Sequence, residues 1–592
     1  NIQGNQVIAR SHDASYNNSV KYKFKVSGYR IWDVTDYANC SVQSVYAGNN
    51  GDECIVNTSN EAVHFALFNP GKEWSPEFIG KVSNQNLHGL QPVDFLIITH
   101  KQFKSQADQL AQFHRDEYSQ SVQVVLVHDI YNEFSGGRQD PIALREFIRM
   151  LYKRGQTSGK TLKYVLMFGD GSYDYFNRID NNTNFVPTFQ SREVVVPENS
   201  YSSDDFYAIL DDGEGLYDQN LLREDIDLGI GRIPCRNTTQ AQTAVNKIIH
   251  YHDPITFGDW QNRVTFLGDD EDRNRHFYDT ETVSGYIKDQ SPVFNITKIY
   301  LDAYEQQSFG SGEKYPDVNK AITEAFEKGT IVFNYLGHGG PSGMAHERVV
   351  TRDEIRSWNN YNRLALMVTA TCELSRFDDP AQDSPGELML FNQNGGAIGL
   401  VTTMRLGLIS LNTQISKELW NNNILSMAET RKLGDIFTET KNSSSRAVNL
   451  RNFSLLADPA MELAIPDYEV FTTKINGVNA GRVSQDTFKA FSKINIDGVV
   501  RKPNGDLASN FNGFVYPTVF DKYLNYQTLG NDENESDPLP YTMQNSVLYR
   551  GKVSVTNGEF SFQFVVPKDI SYNYGKGKIS YFAENGQIDA RG

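Results

Sequence analysis

Two hydrophobic rhythms alternate along much of this chain. In residues 94–99, 122–128 and 162–168 apolar side chains run almost without a break, as in strands buried on both faces. Between them, residues 103–119 and 140–154 repeat apolar positions three and four apart, which predicts amphipathic helices. The alternation resumes with strands at 225–230, 263–267, 293–301, 330–336, 364–371 and 396–401. Helices are expected at 240–251, 277–288, 317–328 and 411–421. Strand and helix taking turns in this way predicts parallel α/β sheets.

The two ends follow a different rule. Residues 1–88 carry short alternating runs such as Lys21-Tyr-Lys-Phe-Lys-Val26, and a hairpin is expected over 42–52 with Asn49-Asn-Gly-Asp52 at its turn. After Pro466 the text is again of β type, with hairpin signals at Asn504-Gly, Asn512-Gly and Asn557-Gly. The predicted organisation is four segments: an N-terminal β-rich segment (1–88), an α/β subdomain (89–254), a second, catalytic α/β subdomain (255–466), and a C-terminal β-sandwich (467–592).

Composition narrows the classes. The chain has 592 residues, 56 Lys and Arg against 73 Asp and Glu, and a net charge of −17. That balance argues against nucleic-acid binding and against direct electrostatic capture of anionic membranes or glycolipids, which need clustered basic residues. No apolar run approaches the roughly 20 residues of a membrane helix. The chain begins at Asn1 without a signal peptide, as expected of a processed product or a fragment. Its cysteines, Cys40, Cys54, Cys235 and Cys372, are too scattered for a zinc site. Cys40 and Cys54 flank the expected hairpin, where an oxidising compartment would allow a bridge.

Reactive side chains stand where two parallel strands end. The run Ile331-Val-Phe-Asn-Tyr-Leu-Gly-His-Gly-Gly340 delivers His338 into a glycine-flanked turn, and Leu364-Ala-Leu-Met-Val-Thr-Ala-Thr-Cys372 delivers Cys372. Sites in open α/β sheets lie beyond the carboxyl ends of the strands. A cysteine ending a buried strand more often serves as a small core hydrophobe. A histidine on the neighbouring strand changes the balance: an imidazole that takes the thiol proton makes the sulfur a nucleophile. The backbone amides of Gly339 and Cys372 are the expected oxyanion donors. A Thr351-x-x-Glu354 capping box marks a helix in the crossover between the two strands.

Several phrases carry a family resemblance. Tyr335-Leu-Gly-His-Gly339, Ala370-Thr-Cys-Glu-Leu-Ser-Arg-Phe-Asp-Asp379 and Asp227-Leu-Gly-Ile-Gly-Arg-Ile-Pro234 resemble the gingipain family of cysteine peptidases. Phe511-Asn-Gly513, Thr528-Leu-Gly-Asn-Asp532 and Val566-Pro-Lys-Asp-Ile570 resemble the sortase branch of that family, which serves the Por (type IX) secretion system. The resemblance implies a caspase/gingipain-like double α/β subdomain unit followed by an immunoglobulin-like β-sandwich. It implies Cys372 as nucleophile, His338 as catalytic histidine, and an acidic third member on the helix preceding the histidine strand. There Glu281 fits best and Asp279 is the fallback.

It further implies cleavage of the C-terminal signal of secreted cargo, with transfer of the cargo to an amine of anionic lipopolysaccharide. The expected setting is the outer-membrane surface of a Gram-negative bacterium, in an attachment complex with PorV, PorQ and PorZ. The alternatives are a plain gingipain-like endopeptidase and a non-catalytic surface scaffold. Arg405, beyond the strand after Cys372, is a candidate substrate contact. No cofactor is expected in catalysis. The loops Gly268-Asp-Asp-Glu-Asp-Arg-Asn274 and Phe377-Asp-Asp-Pro-Ala-Gln-Asp383 are oxygen-rich in the manner of structural calcium sites, though neither has EF-hand spacing. His250-x-His252 lacks further zinc ligands, and Gly169-Asp-Gly171 lacks the end of a phosphate loop.

Overall fold

The computed structural model describes every residue except 1–5, 12–18, 26, 58–61, 193–194, 216–223, 311, 426–430, 446, 481–486, 532–535 and 572. Val26 and Asp532, each part of a phrase singled out in the sequence, thus lie outside the described residues. The chain forms two compact units, Asn1–Gln85 and Asn86–Gly592.

The first unit is all β. Gln6–Ser11, Val63–Phe68, Arg30–Asp33 and Ser41–Val42 pair in that order, and Ser19–Phe24, Gly51–Asn57 and Tyr46–Gly48 form a second sheet. The expected hairpin is tighter than its sequence limits: Gly48 pairs with Gly51 across the two-residue turn Asn49-Asn50. Gly51 has φ 126, a conformation open to a residue without Cβ. Cys54 is buried with Ile31 and Phe65, whereas Cys40 is exposed, and both are free thiols.

The second unit holds both α/β sheets. In the first, the order is β4-β3-β1-β2, all parallel, from Phe95–Thr99 (β1), Val122–Leu126 (β2), Tyr164–Phe168 (β3) and Gly229–Ile233 (β4). The second comprises Arg263–Gly268 (β5), Asn295–Tyr300 (β6), Val332–Leu336 (β7), Ala365–Ala370 (β8), Ala397–Thr403 (β9) and Phe453–Leu456 (β10). Their order is β6-β5-β7-β8-β9-β10, parallel except for the last strand. The unbroken apolar runs are buried throughout in β1, β3, β7 and β8, because helices cover both faces. Helix limits follow local chemistry: Pro141–Ser158 is capped by Asp140, whose side chain accepts from the Ile142 N–H, and ends at Gly159 with φ 75.

The β-rich region from Tyr468 onward holds one large hydrogen-bonded network, with Leu524–Gln527 and Pro540–Met543 paired as a separate two-stranded sheet. The short strand Asp589–Arg591 pairs antiparallel with Lys578–Glu584 and parallel with Tyr468–Ile475, joining the halves into nine strands. Lys493–Arg501 and Glu559–Val565 still alternate buried and exposed, so one face covers a core that includes Val515, Phe560 and Phe562.

This region is joined to the second sheet by polar contacts. The Leu529 N–H donates to Asp302 O (2.7 Å), and the Gly530 and Asn531 N–H groups donate to the Asp302 carboxylate (3.0 and 2.7 Å). The Asn274 side chain donates to Asp537 O (3.2 Å) and accepts from the Asp537 N–H (2.9 Å).

Candidate active site

β7 and β8 are adjacent and parallel, and their last paired residues are Leu336 and Ala370. His338 and Cys372 each stand two residues past that pair, so one register brings both to the same sheet edge. The turn after Leu336 needs glycine twice. A Cβ at Gly337 would sit 2.5 Å from Asp269 Cβ, and one at Gly339 would sit 2.5 Å from Thr371 Oγ1. The second contact places the Gly339 backbone directly against the residue preceding Cys372. Glu373 then leaves the strand end in a left-handed conformation, φ 46.

His338 is held on every side. Its N–H donates to Asp269 Oδ2 (2.6 Å), and its Nε2 lies 2.8 Å from Asp272 Oδ2. His346 stacks on one face of the imidazole (ring centroids 4.7 Å, 18°) and His276 meets it edge-on (5.4 Å, 85°). Burial, and then the neighbouring His338, push His276 down to about 4, so it is a neutral wall at neutral pH. The Tyr335 hydroxyl donates to His338 O (2.5 Å) and accepts from the Ala345 N–H (3.1 Å), fixing the turn.

The carboxylate on the imidazole is therefore Asp272. Glu281, the expected third member, instead accepts from Lys298 Nζ (2.6 Å) and from the Tyr300 hydroxyl. Asp279, the fallback, accepts from Arg275 Nε (2.9 Å) and Thr413 Oγ1 (2.7 Å). Asp272 comes from the loop after β5, where Asp272, Arg273 and Asn274 are successively left-handed (φ 61, 55 and 61). Such a run costs energy and persists where surrounding contacts impose it. Here the last of the three is the Asn274 that is tied to Asp537. The only trace of Asp272 in the sequence is its place in the acidic loop that follows a buried strand.

The Cys372 thiol faces Gly407, with Sγ 3.3 Å from the Gly407 nitrogen and 3.5 Å from its oxygen. Burial raises its pKa, with the Gly407 N–H opposing, so the sulfur rests as a thiol. Among the described residues no hydrogen bond joins Cys372 to His338. With Nε2 on Asp272, Nδ1 is the nitrogen available to take the thiol proton.

The loop after Cys372 is pinned by two arginines. Arg405 is mostly buried and grips the fully buried Asp378, Nη1 donating to Oδ1 (2.7 Å) and Nη2 to Oδ2. Its guanidinium is thus committed to the loop rather than open to a substrate. Arg236, just past the end of β4, donates to Phe377 O (3.2 Å) and Asp379 O (2.9 Å). It also pairs with Asp170 (3.1 Å) and Glu387 (3.0 Å). The oxygens of the 377–383 loop thereby face a cation supplied by the chain itself. Arg405→Ala would strand the buried Asp378 carboxylate, at a cost of about 3–5 kcal/mol. Chemical denaturation measures this, and a loss under about 1 kcal/mol would contradict the role given to the pair. His250 pairs with Asn362 (2.7 Å) and His252 with the Tyr118 hydroxyl (3.1 Å), ordinary polar contacts.

Comparison with known proteins adds the following. Residues 88–464, well over half of the chain, match peptidase family C25. No curated protein sequence matches the chain. Among solved structures, dimeric latent PorU from Porphyromonas gingivalis aligns at 22% identity with a TM-score of 0.48, over 97% of this chain and 50% of that one. The present chain thus spans half the length of that protein. The Arg-specific cysteine proteinase gingipain R aligns over 86% of this chain and 99% of its own, at 14% identity and a TM-score of 0.50, a likeness of fold.

Proposed function

This chain belongs to peptidase family C25, and from that premise we propose that it is a surface cysteine peptidase of sortase type working through Cys372 and His338. The observation that carries this reading is the shared register of β7 and β8, which sets the thiol and the imidazole at one sheet edge. In the proposed reaction the thiol proton passes to His338 Nδ1 as the sulfur attacks a substrate carbonyl carbon. The amides of Gly339 and Cys372 receive the oxyanion. Collapse of the tetrahedral adduct expels the amine of the signal peptide, which takes the proton from His338, and leaves the cargo as a thioester on Cys372. An acceptor amine, or water, then attacks the thioester and gives a proton back to His338, and the thiolate departs and is reprotonated. Asp272 orients the imidazole and balances its charge while it carries the extra proton.

Transfer rather than hydrolysis rests on the resemblance of the C-terminal phrases to the sortase branch, as do the lipopolysaccharide acceptor, the cell-surface location and the attachment-complex partners. Both outcomes use the same thioester, so only the acceptor separates them. The protein incubated with signal-bearing cargo and an excess of a small primary amine is expected to yield the amide adduct, visible by mass spectrometry. Free carboxylic acid as the sole product would leave the endopeptidase reading standing and remove the sortase one.

A further inference from the structure

One part of the C-terminal region stands apart from its large network and reaches the catalytic loop. The strands Leu524–Gln527 and Pro540–Met543 pair with each other, antiparallel, with Tyr526 opposite Tyr541. A two-stranded hairpin is marginal in water by itself and needs a surface to lean on. That surface is the second α/β sheet. The buried Tyr541 meets Tyr300, at the end of β6, edge-on (ring centroids 5.0 Å, 86°), and likewise Phe277 of the helix Arg275–Gln290 (6.3 Å, 77°). The loop joining the two strands then sets Leu529, Gly530 and Asn531 on the buried Asp302, and Asp537 on Asn274.

Asn274 is 6% exposed and stands at the N-terminus of Arg275–Gln290, where an asparagine side chain ordinarily accepts from the first N–H groups of its own helix. Here it makes no such cap, and its amide nitrogen and oxygen both bond the Asp537 backbone (3.2 and 2.9 Å). The helix thus forgoes its cap for a contact 263 positions away in the chain. Two residues before Asn274, at the start of the left-handed run, Asp272 sets its carboxylate 2.8 Å from His338 Nε2. The Asp272 side chain is 40% exposed, so burial does not hold it there, and the run itself is strained. Resting on the reading in which Asp272 is the acid partner of His338, we infer that the hairpin arm 524–543 serves catalysis, with Asn274 as the positioning residue that keeps Asp272 against the imidazole. Released from Asp537, the loop would relax toward right-handed conformations and carry the carboxylate away from Nε2. The imidazole would then lack its counter-charge in the step where it holds the thiol proton.

The test measures kcat and KM of the full chain on signal-bearing cargo, with Asn274 changed alone and together with Asp272→Asn. Asn274→Ala removes the clamp and also disfavours the left-handed backbone. Asn274→Gly removes the clamp alone, since glycine takes φ 61 freely. Both are expected to lower kcat by more than about tenfold with KM within about twofold, in chains whose melting curves show them folded at the assay temperature. In the Asp272→Asn background the same changes should cost less than about twofold, because the group they position is already gone. A merely structural asparagine would lower kcat by the same factor in both backgrounds, and that result would overturn the role. Wild-type kcat in Asn274→Gly would overturn it too, because the backbone conformation alone would then suffice. Full activity of Asp272→Asn by itself is a separate failure: it removes the acid partner, and the role of the arm with it, before Asn274 is touched.

Discussion

Cys372→Ala is expected to lower signal cleavage by at least about 10⁴-fold, the scale seen when a covalent nucleophile is removed. The fold should survive, because the sulfur's hydrogen bonds among the described residues are to the Gly407 backbone alone and the change removes one atom from a half-buried position. A melting curve should therefore stay within about 1 kcal/mol of wild type. Two readouts check the point: cargo that keeps its signal in cells carrying the variant, and loss of labelling by a thiol-reactive peptide probe. A third class of function is decided by the same experiment. If the chain were a scaffold that merely keeps the fold, Cys372→Ala would retain full biological activity and the probe would fail on the wild type as well. Of the remaining cysteines, Cys54 and Cys235 are buried, with burial driving both thiols up, so only the exposed Cys40 competes for label.

That His338 and Cys372 stand at one sheet edge is legible in the sequence for one reason. Each ends an unbroken apolar run, and such runs become central parallel strands whose carboxyl ends share an edge. What periodicity misses is whatever is placed by irregular backbone or by partners distant in sequence. Asp272 lies in a left-handed turn that no hydrophobic pattern marks. The helix after it, Arg275–Gln290, is regular and rich in acids, which is why Glu281 and Asp279 stood out there. Arg236 could not be matched to the 377–383 loop from sequence because the two meet only once both sheets have formed. The C-terminal region shows the same limit. Its alternating strands are β as their pattern requires, but the merger into one large network depends on the three residues Asp589–Arg591. The phrase around Thr528 looked like a family mark without a task. In the structure it seats the β-rich region on Asp302, close to where Asp537 holds Asn274.

That placement makes Asp272 the subject of the second large effect. Asp272→Asn is expected to lower kcat by about 10²–10⁴-fold with KM little changed, since an amide cannot balance the charge of the imidazolium and can favour the wrong tautomer. Glu281→Gln should act differently. Its carboxylate pairs with the nearly buried Lys298 and accepts from Tyr300, so the variant should lose stability while kcat stays within about threefold of wild type. The two variants are compared in one assay, with kcat and KM resolved and a melting curve for each. If Glu281→Gln instead abolished turnover and Asp272→Asn did not, the acid would be the helical glutamate, and the contact between Asp272 and His338 would belong to a resting state. The distances favour Asp272. Its oxygen is 2.8 Å from Nε2, whereas both hydrogen-bonding neighbours recorded for the Glu281 carboxylate lie on β6, away from the histidine turn.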